Sequence, residues 1–285
     1  ASVPSTGDSY FRFRNNANTT DREPSGADGT SIPTNQTSAF TAVQDGNTKA
    51  FKVAGAVTGY RYVFKVDAAI SNIAIFEIQG TNVRTVSTVA KTTPAATVYP
   101  GQDVLITATL SGAFDAGQAA FLRYTTDGWA TSSVIKMSGA GTSYTATIPG
   151  SDNKPSTANQ YYVFTSGDVT SIATADADLF TINANNNGGS NYTYTPAAGW
   201  TTAATGNWGT AGTWVANAVP PTGASMGAVS IGHAVTLNQS AIANSVNLSA
   251  ATPANLTLAA GQTLSIAAGG AITRSSTAII TANAT

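Results

Sequence analysis

Cysteine is absent from this 285-residue chain, and histidine occurs once, as His233. Without disulfides, a long β-rich chain must be held by a real core. Charge is scarce as well. Lys, Arg, Asp and Glu make up 9% of the residues, against roughly 25% in an average soluble protein. The 13 basic and 14 acidic residues leave a net charge of −1. No basic field exists to draw in nucleic acid or an anionic membrane surface. No apolar run approaches the roughly 18 residues needed to span a bilayer, which argues against membrane insertion. The sequence also lacks GxSxG, HExxH and a Gly-rich phosphate loop. With so few acids and a single histidine, paired carboxylates or a nucleophile with its base are hard to assemble. His233, inside SIGHAVTL, has no acid close to it in sequence and reads as a structural or surface histidine. The expectation is a protein that is not an enzyme.

What fills the space left by Lys and Glu is Ala, Thr, Ser, Asn and Gly, a polar but nearly uncharged composition typical of exported proteins. The chain opens on ASVPSTGDSY, with neither the basic nor the apolar region of a signal peptide. Removal of such a peptide before Ala1 is the expectation. Almost everything alternates with a period of two, the mark of half-buried strands. YFRFR (Tyr10–Arg14), KAFKV, YRYVFKV, IAIFEI and VRTVSTV predict an N-terminal β-sandwich over residues 1–92. The stretch NNANTTDREPSGADGTSIPTNQTS between them reads as a long exposed loop. KTTPAATVYPG then punctuates the chain. After it DVLITATL, QAAFLRYTT, SVIKM, SYTATIP, QYYVFTS and DLFTI predict six short strands of an immunoglobulin-like β-sandwich over residues 93–197. From 198 to 285 the texture changes again. Three tryptophans come first, followed by the apolar pairs Val229/Ile231, Val235/Leu237, Val246/Leu248, Leu256/Leu258 and Leu264/Ile266. That spacing suits the faces of a β-solenoid, of which roughly two coils would fit. The fold expected is therefore all-β: two sandwiches and the start of a solenoid.

Two stretches carry a resemblance. FLRYTTDGWATSSVIKMSGAGTSYTATIPG, with QYYVFTSGDV and DADLFTINANNNGGSNYTYT after it, resembles a module of secreted multidomain proteins of Bacteroidota. GNWGTAGTWVANAVPPTGASMGAVSIGHAVTLNQSA is similar to a second unit of those proteins, a GxW…TW segment ahead of a short β-helix. The resemblance implies export by the type IX secretion route and a role as a surface adhesin, matrix protein or enzyme appendage. The sorting domain such proteins carry does not appear in these residues.

Three sets of residues are candidates for a site. Asp176 and Asp178 alternate in DADLF and, on a strand, would share a face near Asn183 and Asn185. Oxygen ligands of this type suit Ca²⁺, although Asn-Gly clusters more often make turns. No other cofactor is expected. Trp129 follows an Asp-Gly turn signal, and its ring, with that of Tyr161, could stack on a sugar. Tyr161 and Tyr162 are adjacent, so only one can face outward. Trp208 and Trp214 read instead as a plug for the open end of the solenoid. Finally, AIITANAT offers Ile272, Ile279 and Ile280 near an uncapped edge with unpaired backbone groups. Tyr10, Phe11 and Phe13, in a strand beside the long loop, could be donated to a neighbour's sheet.

Together these features predict a non-catalytic extracellular protein that self-associates, as filaments, at a bacterial surface or in a matrix. The alternative is a carbohydrate-binding or adhesive appendage of a larger secreted enzyme.

Overall fold

A computed structural model describes residues 6–14, 21–24, 26–35, 40–43, 49–66, 72–78, 82–168, 173–222, 227–249 and 254–283. The protein is all-β. Among these residues the helical elements are 3₁₀ segments, the longest being Thr174–Phe180.

The N-terminal strands form a three-stranded and a five-stranded sheet. They share a core of Ile32, Phe51, Val53, Ala56, Tyr62 and Ile75. The YFRFR segment breaks at Arg12 into Gly7–Phe11 and Phe13–Arg14. Gly7–Phe11 pairs antiparallel with Phe51–Ala56, so this strand already belongs to its own sheet along one edge. The stretch expected to be a long exposed loop is ordered in part. It contains the strands Asp21–Pro24 and Thr30–Ser31, and Glu23 is buried, accepting from the Lys49 N–H. Residues 15–20, 25 and 36–38 of that stretch lie outside the described residues.

In the middle of the chain two sheets face each other. One contains Val86–Thr93, Val104–Leu110, Ser143–Ile148 and Ser138–Ala140; the other contains Ser133–Lys136, Gln118–Thr125, Asn159–Gly167 and Asn183–Asn185. Their inward residues alternate along each strand: Val104, Ile106, Ala108 and Leu110 meet Ala120, Leu122, Tyr124, Tyr161 and Val163. A fully buried aliphatic side chain contributes about 1.5–3 kcal/mol, so this interface needs no cross-link. The strand Val86–Thr93 pairs with Val104–Leu110 and so belongs here, which puts residue 92 inside a strand rather than at a boundary. The Asn183 amide oxygen accepts from the Val86 N–H and the Asn185 amide donates to the Val86 carbonyl, drawing that strand onto the opposite sheet.

DLFTI is not a strand. Its first residues belong to the 3₁₀ segment Thr174–Phe180. In a 3₁₀ helix residues three apart lie on one side. Ala177 and Phe180 are so spaced and both are buried, Ala177 against Ala119, Phe121 and Phe164, and Phe180 against Phe76 and Ile78.

From Gly199 onward every ladder between named strands is parallel. Gly199–Thr201, Ala228–Ile231, Ser245–Leu248 and Ile272–Arg274 form one stack. Gly206–Asn207, Val235–Leu237, Asn255–Leu258 and Ile279–Ala282 form a second, and Ala241–Ala243 with Leu264–Ile266 a third. The apolar pairs seen in sequence become inward columns, such as Trp200, Val229 and Val246 in register, with Ile272 next in line but exposed. The junction with the sandwich is tight. The Trp200 indole donates to the Pro100 carbonyl at 3.1 Å and its ring lies 5.0 Å from that of Tyr99. Gly101 adopts φ +80°, and a Cβ there would sit 2.4 Å from Pro221 Cγ.

Candidate functional site

The sheet of the middle sandwich that contains Gln118–Thr125 and Asn159–Gly167 has an outer face as well as an inner one. Register places Phe121 opposite Phe164, Arg123 opposite Tyr162, and Thr125 opposite Gln160. Alternation sends all six away from the inner core. The 3₁₀ segment Thr174–Phe180 covers Phe121 and Phe164 at one end. Beyond it the half-buried Tyr162 and Trp129 continue the face outward, their centroids 5.6 Å apart and their planes 39° from parallel.

Trp129 is held there by a turn that works against its own backbone preference. Gly128 and Trp129 have φ of +70° and +76°. For a bulky L-residue the left-handed region is an outlier, costing about 1–2 kcal/mol. The surrounding hydrogen bonds impose it. The Thr125 hydroxyl accepts from the N–H groups of Asp127 and Trp129 and donates to the Asp127 carboxylate. That carboxylate in turn accepts from the N–H and the hydroxyl of Thr131. These bonds, the Thr131 hydroxyl first, hold the Asp127 carboxyl down at about 2. At the far edge of the ring, the Trp129 indole N–H donates to the Gln160 amide oxygen at 2.8 Å. The tryptophan is fixed at both ends.

Arg123 sits beneath. Its guanidinium donates to the Ser132 hydroxyl and pairs with Asp178. Burial lowers its basicity, but the Asp178 carboxylate and the Tyr162 hydroxyl more than offset this, and the net shift is upward.

The residues picked out in sequence fall unevenly on this frame. Trp129 is central to it. Tyr161 is not: it is 3% exposed, lies in the inner core beside Tyr192 and Tyr194, and burial pushes its hydroxyl up to about 12. Its neighbour Tyr162 takes the outward place. Asp176 and Asp178 do not share a strand face, since both lie on the 3₁₀ segment; Asp176 is exposed and Asp178 is paired with Arg123. Asn183 and Asn185 are engaged with the Val86 backbone. The shared strand face expected for the two aspartates is thus absent, Asp178 and both asparagines have protein partners, and among the described residues no group of three or more His, Cys, Asp or Glu is placed to hold a metal ion.

Phe11 and Phe13 turn toward the N-terminal core, packing on each other and on Phe64. This removes them from a donated strand, and Tyr10 alone of the three is exposed. Ile272, Ile279 and Ile280 are exposed on the last strands of two stacks. Trp208 and Trp214 are buried in the core between the parallel stacks, ring centroids 4.8 Å apart. His233 Nδ1 lies 3.0 Å from the Thr202 hydroxyl. Sequence reasoning leaves open which of Tyr161 and Tyr162 faces outward, and it does not reach Arg123 or Gln160. Only the strand register, which pairs Arg123 with Tyr162 and Thr125 with Gln160, brings them together.

The fold defines an all-β protein, and no helix among the described residues is long and apolar enough to cross a membrane. No protein-family model, no curated protein and no solved structure matches the chain.

Proposed function

We propose that this chain is a non-catalytic, extracellular adhesive protein whose middle sandwich binds carbohydrate through the Trp129–Tyr162 face. The observation that carries this reading is the backbone of Trp129. A bulky residue kept in a left-handed conformation costs stability, and such outliers persist where surrounding contacts over-determine them, typically at ligand sites. Here the contacts come from Thr125, Asp127 and Gln160, and what they achieve is to present an indole face beside Tyr162 on a rigid sheet. Aromatic faces framed by amide and hydroxyl groups suit sugar rings, which offer C–H on one side and hydroxyls at the edge. The low charge of the whole chain supports an exported protein, and the likeness of two segments to secreted Bacteroidota proteins supports a bacterial surface or matrix as its place. A glycan array probed with the wild-type chain and with Trp129→Ala tests the reading. Binding that the substitution removes, with the circular dichroism unchanged, supports it; binding that survives it contradicts it.

Self-association is a second reading, favoured by the exposed Ile272, Ile279 and Ile280 on the outermost described strands. Read as part of a β-solenoid, the parallel stacks end there on a surface that a further coil would cover, whether from more of the same polypeptide or from another copy. Sedimentation of the 285-residue chain against Ile279→Lys tests it: a concentration-dependent assembly lost on substitution is expected, and a monomer at all concentrations contradicts it.

A further inference from the structure

Resting on the carbohydrate reading, we infer that the ligand is a neutral glycan and that Gln160 reads it by donating to one of its oxygens. An indole N–H donates and cannot accept. The Gln160 atom that meets Trp129 Nε1 at 2.8 Å is therefore its oxygen, Oε1. This fixes the amide in one of its two orientations and turns Nε2, with two hydrogens, away from the indole. No group among the described residues takes those hydrogens. Gln160 stands on the outer face between Thr125 and Thr193 in register. The Thr125 hydroxyl is consumed by the turn, whereas the Thr193 side chain is exposed. The uncommitted polar groups beside Trp129 are thus an amide donor pair and a hydroxyl, the partners that a sugar hydroxyl or ring oxygen needs.

The charges around the face exclude the acidic alternatives. Arg123 is committed to Asp178 and Ser132, and Lys136 to both oxygens of Asp168. Asp127 and Asp176 are exposed and carry no basic partner among the described residues. A uronate or sulfated sugar would meet the Asp127 carboxylate beside Trp129, while Arg123, the cation in register with Tyr162, is already paired. A neutral sugar meets no such penalty, and its binding does not depend on salt.

Native electrophoresis of the full chain through gels containing neutral polysaccharides (glucans, mannans, xylans, galactans) or a polyuronate tests this. The variant is Gln160→Glu, which keeps an acceptor for Trp129 Nε1 but loses the donor. The expected result is retardation by a neutral polysaccharide that is unchanged by added salt, no retardation by the polyuronate, and about tenfold weaker binding for Gln160→Glu with an unshifted tryptophan emission spectrum. Stronger retardation by the polyuronate overturns the neutral-glycan inference while leaving the carbohydrate reading intact. Wild-type affinity in Gln160→Glu overturns the role of Gln160. No retardation by any polysaccharide removes the carbohydrate reading and this inference with it.

Discussion

The rings of Phe76 and Phe180 lie 4.6 Å apart, and through them the N-terminal sheets are fastened to the 3₁₀ segment that also carries Asp178. Both rings are at most 1% exposed. Phe180→Ala empties that contact and is expected to cost about 3–5 kcal/mol. Calorimetry should then resolve a separate, lower transition for the N-terminal strands. A single transition at the wild-type temperature would contradict a shared core at this point.

At the other end of the sandwich, Trp200→Phe keeps a ring in the core between the parallel stacks but leaves the Pro100 carbonyl without the indole donor. An unsatisfied buried acceptor costs about 1–3 kcal/mol. The loss should appear as a lowered denaturation midpoint with an unchanged denaturant dependence.

The backbone of Trp129 predicts a separation of stability from binding. Trp129→Gly relieves the left-handed strain, worth about 1–2 kcal/mol, while removing the indole face. Equilibrium denaturation should show this variant losing less stability than Trp129→Ala, which keeps the strained backbone. Glycan binding should be lost in both. Equal stabilities would mean that the φ of +76° is not costly in this turn.

Asp127 gives the face a pH limit. Its carboxyl is held at about 2, below its ordinary 3.8, by the Thr131 hydroxyl, the Thr131 N–H and the Thr125 hydroxyl. A depressed folded value means that the carboxylate contributes stability above about pH 4 and loses that contribution as the pH falls toward 2. The Trp129 emission of the folded protein should stay constant through about pH 4 and shift only as the pH approaches about 2, while stability already declines from about pH 4, and Asp127→Asn should remove both dependences.

Some of this was legible in the sequence for simple reasons. The pairs Val229/Ile231, Val246/Leu248 and Leu256/Leu258 alternate with polar neighbours, and nothing else competes for their pattern, so they are strands, as alternation predicts, and the structure pairs those strands in parallel. QYYVFTS offers no such contrast. Tyr161 and Val163 are as apolar as Tyr162 and Phe164, because a covered outer face needs apolar residues too, and alternation alone cannot say which set faces the core. The 3₁₀ segment was hidden for a related reason. Its two buried side chains, Ala177 and Phe180, face different neighbours, and only tertiary packing distinguishes that from a strand. Trp129 was legible through Asp127-Gly128, but Gln160 enters the face by register across two strands, a relation that local sequence does not carry.

Three of the four tryptophans are at most 1% exposed, leaving Trp129 as the one within reach of a quencher. Acrylamide quenching of the intrinsic fluorescence, with and without a neutral oligosaccharide cut from a polysaccharide that retards the chain, therefore reads Trp129 directly. The account predicts that saturating oligosaccharide protects the quenchable fraction, and that Trp129→Phe abolishes both the quenchable fraction and its protection. Quenching that the bound sugar leaves unchanged would contradict the placement of the binding face at Trp129 and Tyr162.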